Sequence, residues 1–254
     1  FAIQRFLLAI LYRTAATQRD AITDLNEWAS LWDNPDGFSD DILVYLEEWH
    51  DRFDLWHRNF PFFQVADLRS AKNEISSLER LVVDSPLGGL FTTRTAAGLS
   101  RISWGEATRW LIHAHAFDVS GIKTGAVDDP RVKGGKGYPI GVAWTGQIGG
   151  IALKGNNLFE SLLLNLVPIH RDDLGLDDIN PDEDLPPWER SPLGPPMRDE
   201  TDNLDPTGPV DLYTWQSRRV RLVGDEAGAT GVVLAQGDRM TPQDRYLYEP
   251  MTAW

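Results

Sequence analysis

Between Gly121 and Gly141 the chain intersperses four cations, Lys123, Arg131, Lys133 and Lys136, with six glycines. Glycine lets a backbone approach a ligand closely and adopt positive φ. Lys and Arg supply phosphate contacts. The segment therefore reads as a phosphate-facing loop, with a mobile surface loop as the alternative. Its candidate nucleic-acid contacts are Gly121, Lys123, Arg131, Lys133, Gly134, Gly135, Lys136 and Gly137. The loop is not of the Walker A kind. Gly135-Lys136 is followed by Gly137 where Ser or Thr is needed, and Pro130 occupies the upstream glycine position. Nor is it a dinucleotide fingerprint, because the step from Gly137 to Gly141 is wrong and no strand precedes it.

Other reactive residues form no legible catalytic pattern, and no catalytic residue, metal ligand or cofactor is expected. His113 and His115 lie two apart on a helix and face different ways. His50, His57 and His170 suit structural or surface roles. No Gly-x-Ser-x-Gly elbow is present. Asp178, Asn180, Asp182, Asp184 and Glu189 fall at calcium-loop spacing, but the sixth position needs Gly and carries Glu183. Asp172, Asp173, Asp177 and Asp178 are the acids a metal-dependent hydrolase would use. They sit in a Pro-rich stretch, whereas catalytic groups need rigid support.

The elements that must hold the loop are mostly helical. The first hundred residues read as helix, with a start at Ser39-Asp40-Asp41 and apolar Ile42, Leu46, Trp49 and Phe53 at helical spacing. Ser103 with Glu106 predicts a capping box, followed by an apolar face of Ala107, Trp110, Leu111, Ala114 and Phe117. A third helix is expected from Asn157 to Leu166, ended by Pro168. Residues 172–211 carry 13 Asp/Glu against two Arg and many prolines, and predict an acidic linker or loop without packing of its own. Ser217 to Val223 alternates as a half-buried strand does, a turn follows at 224–228, and Gly231–Leu234 returns. The dense aromatic run around Phe62 and Phe63 suits a core or a subunit interface. The expected class is α+β, a helix-dominated globular domain with a small antiparallel hairpin and long Gly-rich and acidic Pro-rich loops.

Composition constrains the partners. The chain has 254 residues, 42% of them hydrophobic, and no Cys. Disulfides, Cys-bound zinc and Cys nucleophiles are excluded, and a reducing cytoplasm is the expected location. The apolar opening, broken by Gln4 and Arg5, is too short for a membrane span. The start at Phe1 reads as a fragment, with residues 1–254 forming one large domain. The net charge of −14 argues against bulk attraction to nucleic acid, whereas residues 91–154 hold eight Lys/Arg against four acids. Contact with a polyanion must then be local.

In order along the chain, several segments resemble the large subunit of type I-E CRISPR Cascade complexes, the CasA family. They are Phe53–Gln64 with Pro61-Phe62-Phe63-Gln64, Leu90-Phe91-Thr92-Thr93-Arg94, Ala116-Phe117-Asp118 running into the Gly-Lys loop, and Gly155–Leu166. The tail from Leu234 to Gln243 and Glu249 to Trp254 is similar as well. The resemblance implies a non-catalytic, DNA-contacting subunit that recognises a protospacer-adjacent motif (PAM) from the minor groove. It implies double-stranded target DNA, the guide-RNA handle, other Cascade subunits and a recruited helicase-nuclease as partners. The Gly-rich loop would map to Gly121–Gly137. Phe91, Thr92 and Thr93 would lie in the segment near the RNA handle and PAM, and Arg239 near the family's cationic finger. The family's C-terminal helical bundle would lie beyond Trp254, and its wedge is not legible. A minor groove offers a degenerate pattern that a backbone-lined loop can read by shape, while sequence is otherwise read by base pairing. The rival readings are a protein–protein scaffold of another nucleoprotein complex and the carboxylate hydrolase.

Overall fold

The computed structural model describes residues 1–17, 22, 24–34, 37–85, 92, 94, 99–167, 180–198, 204–240 and 249–252. Its central element is helix α1, Ala2–Thr17. Leu8, Ala9, Ile10, Leu11 and Tyr12 are all buried, so the middle of the helix is enclosed on every side. Its polar side chains tie down remote segments. Arg13 holds the Glu189 carboxylate through Nε at 2.9 Å and Nη2 at 2.6 Å, and the Tyr12 hydroxyl donates to the Val167 carbonyl at 2.8 Å.

Against α1 lie α3 (Asp41–Glu48), α4 (Trp104–Phe117), α5 (Leu158–Leu163) and α6 (Pro209–Tyr213), and α2 (Leu25–Trp32) packs on α5. Two antiparallel hairpins complete the α+β fold. One pairs β1 (Lys123–Thr124) with β2 (Lys136–Gly137). The other pairs β3 (Arg218–Asp225) with β4 (Gly228–Gln236), in the register Arg218↔Gln236 to Val223↔Gly231. One apolar cluster joins α1, α3, α4, α5, α6 and the longer hairpin. A small satellite of Val65, Leu68, Ala126, Val233 and Ala235 lies beneath the Gly-rich loop.

The cap at α4 forms as expected, with Ser103 Oγ accepting from the Glu106 amide at 3.2 Å. The Glu106 carboxylate, however, is engaged by Arg94 Nη2 (2.5 Å) and Trp110 Nε1 (3.2 Å). α5 is shorter than the expected 157–166. Asn165 turns its amide onto the Leu153 and Ser161 carbonyls at 2.7 and 2.6 Å, competing with helix continuation. Pro168 lies outside the described residues.

Three expectations are corrected. The first hundred residues are not helical throughout: residues 54–85 contain no α-helix, only the 3-10 turn Leu78–Arg80. Local side chains take the backbone amides there. Asp54 accepts from the Trp56 N–H at 2.8 Å, and His57 Nδ1 accepts from Asn59 and Phe60 at 3.3 and 3.2 Å. Phe63 then takes φ of 55°, and Phe62 and Phe63 both enter the core.

The described part of the acidic Pro-rich stretch, residues 180–198 and 204–211, is not an unpacked linker either. Trp188 is buried against Phe6 and Phe53 and donates to the Tyr45 hydroxyl at 2.6 Å. Residues 209–213 form α6, all of it buried. Its acids are paired across long sequence separations: Glu189 with Arg13, and Asp211 with Arg190 and Arg198.

Finally, β3 does not alternate between core and water at its start. Arg218 and Arg219 are both buried, the first bound to Asp118 and the second to Asp238 at 2.6 Å, whereas Arg221 remains exposed. Partner carboxylates and carbonyls from covering loops make that burial possible.

Candidate nucleic-acid interface

The Gly-rich segment folds as a tight hairpin. Lys133 and Lys136 exchange both backbone hydrogen bonds at 3.1 Å, closing a two-residue turn at Gly134 and Gly135. These glycines have φ of 59° and 71°, the sign pattern of a type I′ turn, which demands positive φ at both central residues. Neither glycine's amide donates a hydrogen bond among the described residues.

The hairpin is held rigidly. Gly125 N–H donates to the Gly135 carbonyl at 3.2 Å, and a Cβ at Gly125 would come within 2.7 Å of that backbone. Gln236 of β4 donates to the carbonyls of Gly121 (2.9 Å) and Gly137 (3.3 Å). The segment 69–71 runs beside it, with Ala71 N–H on the Gly125 carbonyl at 2.7 Å and Val127 N–H on that of Arg69 at 2.9 Å. The bland alternative of a floppy loop finds no support in these bonds.

The expected contact residues separate into two groups. Lys133, Gly134 and Lys136 are exposed, and neither lysine has a carboxylate partner among the described residues. A Cβ at Gly134 would meet nothing within 4 Å. Gly135 is half-buried beneath the side chain of Lys72, and Gly137 is buried against Gln236 and the Thr124 carbonyl, both 3.2 Å from an added Cβ. A Cβ at Gly121 also meets open space.

Two cations are engaged inside the protein. Lys123 binds Asp118 at 2.7 Å with little exposure, and burial holds its ammonium pKa below the usual lysine value against the pull of Asp118. Arg131 grips Asp129 with Nε and Nη2, both at 2.9 Å, and donates to the carbonyls of Gly237 (2.9 Å) and Gln236 (3.2 Å).

Arg131 thereby ties the hairpin to the chain leading to Arg239. Arg239 is half-buried and borders a water-sized cavity with Ile140, Val142, Trp144 and Gln147; its Nε has no partner among the described residues. Its neighbour Asp238 is fixed by Arg219 Nη2 (2.6 Å), Arg198 Nε (2.8 Å) and the Arg198 amide (2.9 Å). Burial alone would raise the Asp238 pKa. Arg219 and Arg198 outweigh it and hold the carboxyl below the usual range.

Thr92 lies elsewhere. Its hydroxyl donates to the Asp84 carbonyl at 2.6 Å and accepts from the Arg94 amide at 3.0 Å, while Arg94 pairs with Glu106 in the first turn of α4. The hairpin follows the opposite end of α4, roughly 20 Å away along a 14-residue helix. Phe91 and Thr93 lie outside the described residues, as do Asp172, Asp173, Asp177 and Asp178.

The near-calcium pattern is taken apart by the fold. Asp184 caps α6, accepting from Val210 (3.0 Å) and Asp211 (2.8 Å), and Glu189 pairs with Arg13. Among the described residues no group of three His, Asp or Glu side chains is placed to hold a metal ion, and no helix is long and apolar enough to cross a membrane.

The clasp of Asp238 with Arg198 and Arg219 escaped sequence reasoning, because its members lie up to 40 positions apart. The consecutive cations Arg218-Arg219 at the start of β3 were its only signal.

The sequence model of the family described as "CRISPR-associated protein Cse1" matches residues 1–254. A CasA/Cse1 protein of Thermus thermophilus is 30% identical over 258 residues, covering 99% of this chain and 45% of the relative. The crystal structure of Thermobifida fusca Cse1 superposes with a TM-score of 0.87 at 49% identity, covering 100% of this chain and 46% of that one. A chain of a CRISPR RNA-guided surveillance complex shares the fold, with a TM-score of 0.63 at 18% identity over 92% of this chain and 46% of that one. This chain thus spans less than half the length of these relatives.

Proposed function

The chain belongs to the CRISPR-associated Cse1 family, and on that premise we propose that it serves an RNA-guided Cascade complex as the part of the large subunit that meets target duplex DNA. In this reading it carries no nuclease or hydrolase activity of its own. It acts at the PAM from the minor groove, before guide pairing and nuclease recruitment. The other Cascade subunits and the guide-RNA handle are its standing partners.

The observation that carries the reading is the turn Lys133-Gly134-Gly135-Lys136. Two amides and two ammonium groups without partners among the described residues sit together there, on a hairpin braced by Gln236 and Arg131. Minor-groove edges present acceptors at every A·T pair, so a narrow loop with free N–H donors suits that groove. The lysines suit the flanking phosphates, which position without specifying sequence. On a chain of net charge −14, such local contact has to replace bulk attraction.

The test is binding of PAM and non-PAM duplexes by the assembled complex across a salt series. Lys133→Ala or Lys136→Ala should weaken both duplexes and reduce the salt slope by about 0.9 per lost phosphate contact. Gly134→Val, at a site with no neighbours inside the protein, should reduce PAM discrimination with little change in slope. Unaltered binding by all three variants refutes the reading.

A further inference from the structure

We infer that Lys72 is a third phosphate-contacting cation of this interface, delivered by the segment beside the hairpin and seated across Gly135; the inference rests on the DNA-facing reading of the hairpin. The placement comes from two sets of contacts. Backbone pairing joins the two segments: Ser70 bridges Ala126, Ala71 N–H bonds the Gly125 carbonyl, and Val127 N–H bonds that of Arg69. The Lys72 stem then lies along Gly135, where an added Cβ would stand 2.9 Å from Cε, 3.0 Å from Cγ and 3.5 Å from Cδ.

Gly135 therefore has two roles. It takes the positive φ of the turn, and its missing side chain leaves a shelf for a lysine stem. Lys side chains cover apolar surface with their methylenes while the charged end stays in water. Lys72 is exposed and its backbone is locked in a turn, with its amide on Ser70 Oγ at 3.2 Å and Asn73 N–H on the Ser70 carbonyl at 2.9 Å. The stem across Gly135 and a fixed backbone hold Lys72 against the turn that carries Lys133 and Lys136, with less rotamer freedom left to lose on binding.

Among the described residues Lys72 forms no ion pair, and the exposed acids of the same segments, Asp67, Glu74 and Asp128, pair with none of these lysines. Three uncompensated ammonium groups from two chain segments, on an otherwise acidic protein, complement a phosphate backbone rather than a protein surface of mixed charge.

The experiment uses the assembled complex and a PAM duplex in a salt series. Lys72→Met keeps the stem on Gly135 and removes the charge; Lys72→Arg restores the charge. Lys72→Met should lower the salt slope by about 0.9 on PAM and non-PAM duplexes alike, with subunit incorporation unchanged, and Lys72→Arg should restore the slope. If Lys72→Met leaves the slope intact while Lys136→Ala lowers it, the inference fails and the DNA-facing reading stands. If neither changes the slope, the DNA-facing reading fails as well. If Lys72→Met instead reduces incorporation into the complex with the slope intact, the lysine contacts another subunit and the inference is overturned.

Discussion

Asp238→Asn removes one charge from a site that has no access to water, and its cost follows from the geometry. The carboxylate receives three hydrogen bonds: Oδ1 from the Arg198 amide and Arg219 Nη2, Oδ2 from Arg198 Nε. The Asp238 and Arg219 side chains are both fully buried. Asn preserves the volume, so no cavity forms. Its oxygen still serves two donors, but its NH2 must face a third. The Arg219 cation loses its counter-charge while keeping the Gly194 and Pro196 carbonyls at 2.8 and 2.7 Å, and Arg198 keeps Asp211.

Breaking a buried pair from one side costs about 3–5 kcal/mol. The remaining acceptors place this case at the lower end, about 3 kcal/mol. For a chain of this size that corresponds to a fall in Tm of roughly 6–12 °C. Thermal unfolding monitored by circular dichroism measures it, with Asp84→Asn as control. The Asp84 pair with Arg94 is half-exposed, and its loss should cost about 0–1 kcal/mol. A fall for Asp238→Asn no larger than that of the control would refute the clasp as a structural anchor.

Phe63→Ala should cost about 3–5 kcal/mol, because the ring packs against Phe6, Phe62 and Trp188; intact stability with abolished DNA binding would instead assign the ring to base stacking. Gly137→Val should destabilise the hairpin through crowding, since an added Cβ already stands 3.2 Å from Gln236 and the Thr124 carbonyl, whereas Gly134→Val meets no neighbour and should lower Tm only by its backbone strain, about 1–2 kcal/mol or roughly 2–8 °C. Equal losses for the two would show that space is not the deciding term. Burial raises the Asp184 carboxyl to about 6, against the opposing amides of Asp211 and Val210. A raised folded-state value makes its contribution complete below the ordinary pKa near 4 and lost as pH climbs through 6. The stability of the parent relative to Asp184→Asn should accordingly fall by roughly 3 kcal/mol between pH 4 and 7, and a pH-independent difference in denaturant midpoints would contradict this.

Local signals were legible in the sequence where one element decides its own shape. Ser103 and Glu106 mark the start of α4, the run from Ser217 to Val223 marks β3 although its alternation fails at Arg218 and Arg219, and the loop glycines permit the positive φ found at 134 and 135. The family resemblance was legible from the order of its segments and is borne out over all 254 residues. Pairing across distance was not legible. The acids of 180–211 look solvated by composition, yet Glu189 meets Arg13 across 176 positions. Lys123 and Arg131 look like phosphate ligands beside Lys133 and Lys136, and only the placement of Asp118 and Asp129 separates the two groups. Lys72 carried no signal, because its relation to Gly135 exists only once the two segments are side by side.

The salt bridge between Arg5 and Glu249 has a consequence in time. Arg5 is buried in the first turn of α1, bonded to Glu249 at 2.5 Å, and Glu249 also accepts from Trp144 Nε1 at 2.9 Å. The two ends of that bond are separated by 244 positions. At about 5–20 residues per second, a ribosome needs roughly 10–50 s to deliver the carboxylate after the guanidinium. Through that interval the central helix holds a cation that cannot enter an apolar interior unpaired. The nascent chain must therefore keep α1 at its surface, or in the care of a chaperone, until residue 249 has emerged.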